Sequence, residues 1–107
     1  MRATKGIVTE QAAAFLALMA NGKRIEILTL IMHKELSVNT LADLVGLSQS
    51  ALSQHLARLR NSGLVETRRD RQTIYYSCRS QAVKRLLYLL EDLFIEEKDS
   101  SGLRTGT

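Results

Sequence analysis

The sequence predicts a mainly α fold with a small β-hairpin wing, an α+β arrangement of about five helices around one core. Three features predict it. Apolar residues recur at steps of three and four over most of the 107 residues. Between Leu64 and Ser77 that rhythm gives way to β-branched and aromatic residues on either side of Asp70 and Arg71, the pattern of a hairpin. Proline is absent and several glycines fall where the periodic stretches end, so the helices are punctuated rather than interrupted. A chain of this length forms one domain, expected over residues 9–97 with flexible ends at 1–8 and 98–107. Its core is small, so help from a partner chain is expected.

Thr9 is placed to cap a first helix with Ala12, Phe15, Leu16, Met19 and Ala20 at helical spacing, and Asn21 with Gly22 ends it. The run KRIEILTLIMHK follows. It is apolar over most of its circumference, through Ile25, Leu28 and Met32 with Ile27, Leu30 and Ile31 beside them, and is therefore the central helix. After a short ELS connection, Ser37 or Asn39 caps a third helix with Leu41, Ala42, Leu44 and Val45 inward. Gly46 stops it, being free to adopt left-handed backbone. Ser48 caps a fourth helix within LSQSALSQHLARLR, residues 47–60, where Leu52, Leu56 and Leu59 form an inward stripe and His55 lies at its margin. Gln49, Ser50, Ser53, Gln54, Ala57 and Arg58 then face outward or sideways, and Asn61, Ser62 and Gly63 terminate the helix.

The hairpin comprises LVETRR and QTIYYS. On its second strand Ile74, Tyr76 and Cys78 share one face, expected to cover the helices, and Thr73, Tyr75 and Ser77 the other. Ser80 caps a last helix, QAVKRLLYLLEDLFIEE, whose apolar band is too broad for one face of a small domain. Left open to water it would be an aggregation liability, so this helix is expected to pack with the first against a second copy in a twofold dimer. The interface residues expected are Phe15, Leu16, Met19, Leu86, Leu87, Leu90, Leu93 and Phe94.

Charge is unevenly distributed. Residues 1–45 carry five Lys/Arg against four Asp/Glu, residues 46–85 eight against two, and residues 86–107 two against five. Positive charge is thus concentrated on the fourth helix and hairpin, which points to a polyanionic partner, with a solvated basic face as the plainer alternative. A single cysteine excludes an intrachain disulfide and fits a reducing cytosol. No apolar run approaches the roughly 18 residues of a membrane span. Arg2 and Lys5 before AAAFLALMA imitate a secretion signal, but Glu10 and Gln11 interrupt the approach and Leu18 stands where a small residue belongs, so the segment reads as a helix of a cytoplasmic protein.

A helix, a glycine turn and a second helix with a polar, uncharged start form the helix-turn-helix pattern. Neutral amides and hydroxyls both donate and accept, so they can match base edges in a major groove, whereas a face of lysines finds only phosphate. The residues expected to touch double-stranded DNA are Ser48, Gln49, Ser50, Ser53, Gln54 and Arg58, joined by Arg68, Arg69, Arg71, Gln72 and Thr73 of the hairpin. Solvated surface is the competing reading for the polar helix face, and ion pairing with Glu66 or Asp70 for the arginines.

NGKRIEILTLI, LSVNTLADLVGLSQSALSQHLARLRNSGLVETRRDRQTIYYS and the leucine-rich closing helix together resemble the ArsR family of bacterial winged helix-turn-helix repressors, over residues 10–97. The resemblance is closest to the branch with the nodulation, biofilm-growth and haemolysin regulators. It implies a dimer joined through the first and last helices, helix 48–61 in the major groove of an operator, and the wing, 64–77, on backbone or minor groove. It also carries departures. Metal-sensing members have a cysteine pair in the third-helix motif, where this chain has Ser37 and Asn39, and others bind zinc through histidines of a closing helix that here has none. Sulfur-responsive members use two cysteines at places occupied here by Thr29 and Ile95. No metal and no cofactor is expected.

Of the remaining groups, His55 reads as a packed histidine and His33 as an exposed one. Cys78, with Arg79 adjacent, is either a reactive thiol or a small buried hydrophobe, and its strand face favours burial. An enzyme is disfavoured, because there is no glycine-rich phosphate loop, no histidine pair at ligand spacing and no nucleophile with an evident base. A protein-docking module built on the same scaffold remains the alternative to a DNA-binding regulator.

Overall fold

Four of the five helices described begin on a side chain that accepts a hydrogen bond from their own first turn. The structure is a computed structural model describing residues 6–95. Its elements run α1 (Thr9–Met19), α2 (Gly22–Ile31), β1 (Leu36–Ser37), α3 (Val38–Val45), α4 (Gln49–Asn61), β2 (Glu66–Asp70), β3 (Thr73–Ser77) and α5 (Gln81–Phe94). Asn21, Ser37, Ser48 and Ser80 cap α2, α3, α4 and α5, each satisfying one backbone N–H that the helix leaves unpaired. The cap of α3 is thus Ser37 and not Asn39. At α1 the capping position falls on Val8, which has no side-chain acceptor, and Thr9 lies one residue inside. Gly22 opens α2 instead of closing α1.

The core is built around α2, whose Ile27, Leu28 and Ile31 are buried. Leu41, Ala42 and Val45 of α3 pack on it with Leu52, Leu56 and Leu59 of α4, and Val65, Cys78, Val83 and Leu87 complete it. No polar or charged residue is buried among the described residues. Each leucine so placed contributes about 1.5–3 kcal/mol of transfer free energy. Leu44, expected inward, is exposed, because three inward positions already saturate the short face of α3.

Met19 and Leu87, both expected at the dimer interface, are buried within their own chain, Met19 at the only buried position of α1 and Leu87 on the face of α5 that meets the core. The broad apolar band of α5 is divided between two tasks: Val83 and Leu87 point inward, while Leu89, Leu93 and Phe94 stay exposed.

A third strand was hidden in the ELS connection. Leu36 and Ser37 pair antiparallel with Tyr76 and Tyr75, giving a sheet in the order β1-β3-β2 with β3 central. Two residues are too few to show alternation, so only their proximity to the edge of β3 makes them a strand. β2 pairs with β3 from Glu66↔Ser77 to Asp70↔Thr73, leaving Arg71 and Gln72 as a two-residue turn. Arg71 has φ 62, the left-handed region, which the first central position of such a turn usually fills with glycine. The tail from residue 98 and the first five residues, expected to be flexible, lie outside the described residues.

Candidate nucleic-acid interface

The polar start of α4 is positioned by the turn before it. Gly46 takes φ 69 and ψ 38, and the Leu47 N–H donates to the Ala42 carbonyl at 3.1 Å, which reverses the chain tightly between α3 and α4. The Ser48 hydroxyl then accepts from the Ala51 N–H at 3.1 Å. With Leu52, Leu56 and Leu59 fixed inward, the helical period leaves Gln49, Ser50, Ser53, Gln54, Ala57 and Arg58 exposed on the opposite side.

These residues differ in how free they are. Ser48 spends its oxygen on the helix end. The Gln49 Nε2 donates to Oδ1 of Asn39 on α3, which orients its amide from behind. Ser50, Ser53, Gln54 and Arg58 make no side-chain hydrogen bond or ion pair among the described residues, so their groups are open to an incoming partner. Asn39 was not foreseen as part of the site: ten residues before Gln49, it meets it only because the turn folds α3 against α4.

The wing stands beside this face. Asn39, Gln49 and Ser53 share a cleft of about 320 Å³ with Gln72, Thr73 and Tyr76, so the base of α4 and the wing turn border the same space. Arg69, Arg71, Gln72 and Thr73 are exposed at the tip. Neither Arg69 nor Arg71 has an ion pair among the described residues.

Arg68, expected as a phosphate clamp, is engaged within its own chain. Its guanidinium grips Glu35 with Nη2 2.8 Å from Oε1 and Nε 3.0 Å from Oε2, and it lies over the Tyr75 ring, 4.7 Å from the centroid. The ladder register pairs Arg68 with Tyr75, so both stand on the same sheet face, and Arg69 with Ile74 on the other. Arg68 therefore reaches across β3 to the residue preceding β1, and the hydrogen bonds hold the Glu35 carboxyl below its ordinary range. Sequence spacing offered no hint of this fork, since 33 residues separate the partners.

Behind α4, His55 is half-buried. Desolvation first, then the positive charges of Arg24 and Arg58, push its pKa down. Arg24 is shared: Nε donates to the Leu18 carbonyl at 2.7 Å, Nη2 to the Ala17 carbonyl at 3.4 Å, and Nη1 lies 3.5 Å from His55 Nδ1. Cys78 is buried, and burial raises its thiol above the ordinary value, which disfavours the reactive thiolate. Among the described residues no group of three or more His, Cys, Asp and Glu is placed to hold a metal ion, and no helix is long and apolar enough to cross a membrane.

Known proteins share this arrangement. The family model for bacterial regulatory proteins of the arsR family matches residues 21–67, from the cap of α2 into β2. The chain is 54% identical over 91 residues to the nodulation protein NolR of Rhizobium meliloti, covering 85% of this chain and 75% of that protein. The chain belongs to the arsR family of bacterial regulatory proteins. Family membership sets it among regulators and not enzymes. The crystal structure of NolR from Sinorhizobium fredii superimposes with a TM-score of 0.77 at 48% identity, over 88% of this chain and 97% of that one. A Mycobacterium bovis protein solved in solution as a homodimeric winged helix-turn-helix DNA-binding domain aligns with a TM-score of 0.71 at 32% identity, over 80% of each chain. The fold of this family member is accordingly a winged helix-turn-helix.

Proposed function

We propose that this protein is a dimeric, sequence-specific DNA-binding repressor of the bacterial cytoplasm, with residues 9–97 as its binding and dimerisation unit. The observation that carries the reading is the uncommitted polar face of α4, Ser50, Ser53 and Gln54, set beside the unpaired wing cations Arg69 and Arg71. Neutral groups on a helix narrow enough for a major groove discriminate base edges, and cations at its flank gain affinity by releasing counterions from phosphate. Ser48, Gln49, Arg58, Gln72 and Thr73 border the same surface and complete it.

The second copy is argued from what remains exposed. Leu16 is 54%, Leu93 58% and Phe94 72% exposed, on the two helices at the ends of the described chain. With half-buried Phe15, Leu86 and Leu90 they form the surface assigned to the dimer. A twofold axis through it would present two copies of α4 to half-sites one helical turn apart, about 34–36 Å. A repressor of this kind acts by occluding a promoter.

Selection of bound duplexes from a random pool, followed by gel-shift titration on the selected and a scrambled duplex, tests the reading. Enrichment of a two-part site is the expected result. A folded protein that enriches no duplex overturns it in favour of a protein-docking module.

A further inference from the structure

We propose that the cleft between the end of α2, the base of the wing and the start of α5 binds a small polyanion, a molecule with two or more carboxylate or phosphate groups. It is an open cleft of about 410 Å³, within the size range of metabolite sites. Its charged lining is Lys34, Arg68, Arg79 and Lys84 against Glu35 alone. Ile31, Met32 and Cys78 lie at its back, buried in the core, and the surface it offers is mostly polar. Four cations around one carboxylate suit a ligand that carries more than one anionic group.

The cavity already shows its preference in miniature. The Arg68 fork holds a carboxylate there, that of Glu35, in the two-pronged geometry that guanidinium offers to carboxylate and phosphate alike. Arg79 has only a loose partner, Glu66 at 3.8 Å, and its side chain is 77% exposed. Lys34 and Lys84 have no ion pair among the described residues. A ligand with a second anionic group therefore gains cations that Glu35 does not reach.

The site lies towards the base of the hairpin: Ser77 stands four ladder steps from Thr73, about 13 Å along the strand, and Arg68 two from Asp70. Its consequence for the wing runs through Arg68: an anion that draws the guanidinium from Glu35 unfastens β2 from the β1 end of the sheet.

Titration of the full-length, isotope-labelled protein with citrate, and separately with pyrophosphate, at constant ionic strength and without DNA tests this by amide resonance shifts. The expected result is saturable shifts at Lys34, Glu35, Arg68, Ser77, Arg79 and Lys84 in at least one arm, the stronger arm naming the group recognised. Arg79→Gln and Lys84→Gln, both at exposed or half-exposed positions, should each weaken binding about tenfold, the worth of one charge-assisted hydrogen bond. Shifts that fail to saturate in both arms, that centre on Gln54 and Arg69, or that persist unchanged in the folded variants overturn the proposal. Because no DNA is present, the outcome is independent of whether the protein reads an operator.

Discussion

Arg24 and His55 face each other at 3.5 Å, guanidinium Nη1 to imidazole Nδ1, across 31 residues of sequence. The same guanidinium holds the Leu18 and Ala17 carbonyls at the end of α1. One side chain thus joins the helix assigned to dimer contact to the helix assigned to base reading. Arg24→Ala removes the carbonyl partners of α1 and should lower stability by about 1–2 kcal/mol in urea denaturation, with faster amide exchange in α1 than in α3. Equal protection in α1 of the variant and the parent would show that the link bears no strain.

His55 makes stability pH-dependent in a definite direction. Its folded pKa lies below the unfolded value, so the unfolded chain binds more protons between the two. Stability contributed by neutral His55 is complete above about pH 6.5 and falls as pH drops from there to the lower folded pKa. Thermal midpoints recorded from pH 5 to 8 should decline on the acid side, and His55→Gln, which cannot charge, should flatten that decline.

Arg68 and Arg69 are neighbours with opposite duties. Arg69→Ala should weaken binding to cognate and scrambled duplexes alike and reduce the salt slope by about one. Arg68→Ala should leave the salt slope intact, since its charge is already answered by Glu35. Gln54→Ala and Ser53→Ala should cost about 1–3 kcal/mol on the cognate duplex and little on the scrambled one. Gel shifts over a salt series separate these outcomes, and equal losses on both duplexes would remove Gln54 and Ser53 from base reading.

The wing turn stores backbone strain at Arg71, φ 62. Glycine accepts that conformation freely, and a β-branched residue resists it. Arg71→Gly should raise the thermal midpoint while weakening DNA binding, whereas Arg71→Val should lower both. A rise in stability with valine would mean that the turn relaxes to another conformation.

Leu93→Asp places a charge in the exposed apolar surface of α5 without touching the core. Sedimentation should show the variant as a monomer with native helix content, and its affinity for a two-part operator should fall far more than its affinity for nonspecific DNA. A dimer that survives the change would move the interface elsewhere.

The helices were legible because each is encoded within its own few residues. Ser48, the leucines at 52, 56 and 59, and Gly46 specify where α4 starts, which way it faces and why α3 ends, using local hydrogen bonding and a fixed period. The hairpin was legible in its β-branched and aromatic residues, but its turn falls on Arg71 and Gln72 where the sequence suggested Asp70 and Arg71, because Asp70 still pairs with Thr73. The partners of exposed side chains were not legible. Arg68 read first as a phosphate clamp and second as an ion-pair partner of Glu66 or Asp70, and its nearness to Glu35 depends on β1 joining the sheet.

By itself, then, the sequence determined the order of the helices and the hairpin, the inward leucine stripe of α4 and its exposed polar face, all set by interactions spanning a few residues. The tertiary structure alone decided that Met19 and Leu87 belong to the core, that Asn39 braces Gln49, that Arg24 ties α1 to α4 and that Arg68 is withdrawn from the wing's free charge. Each is a meeting of side chains brought together by packing, and the geometry of a meeting exists only once the backbone between the partners has taken its course.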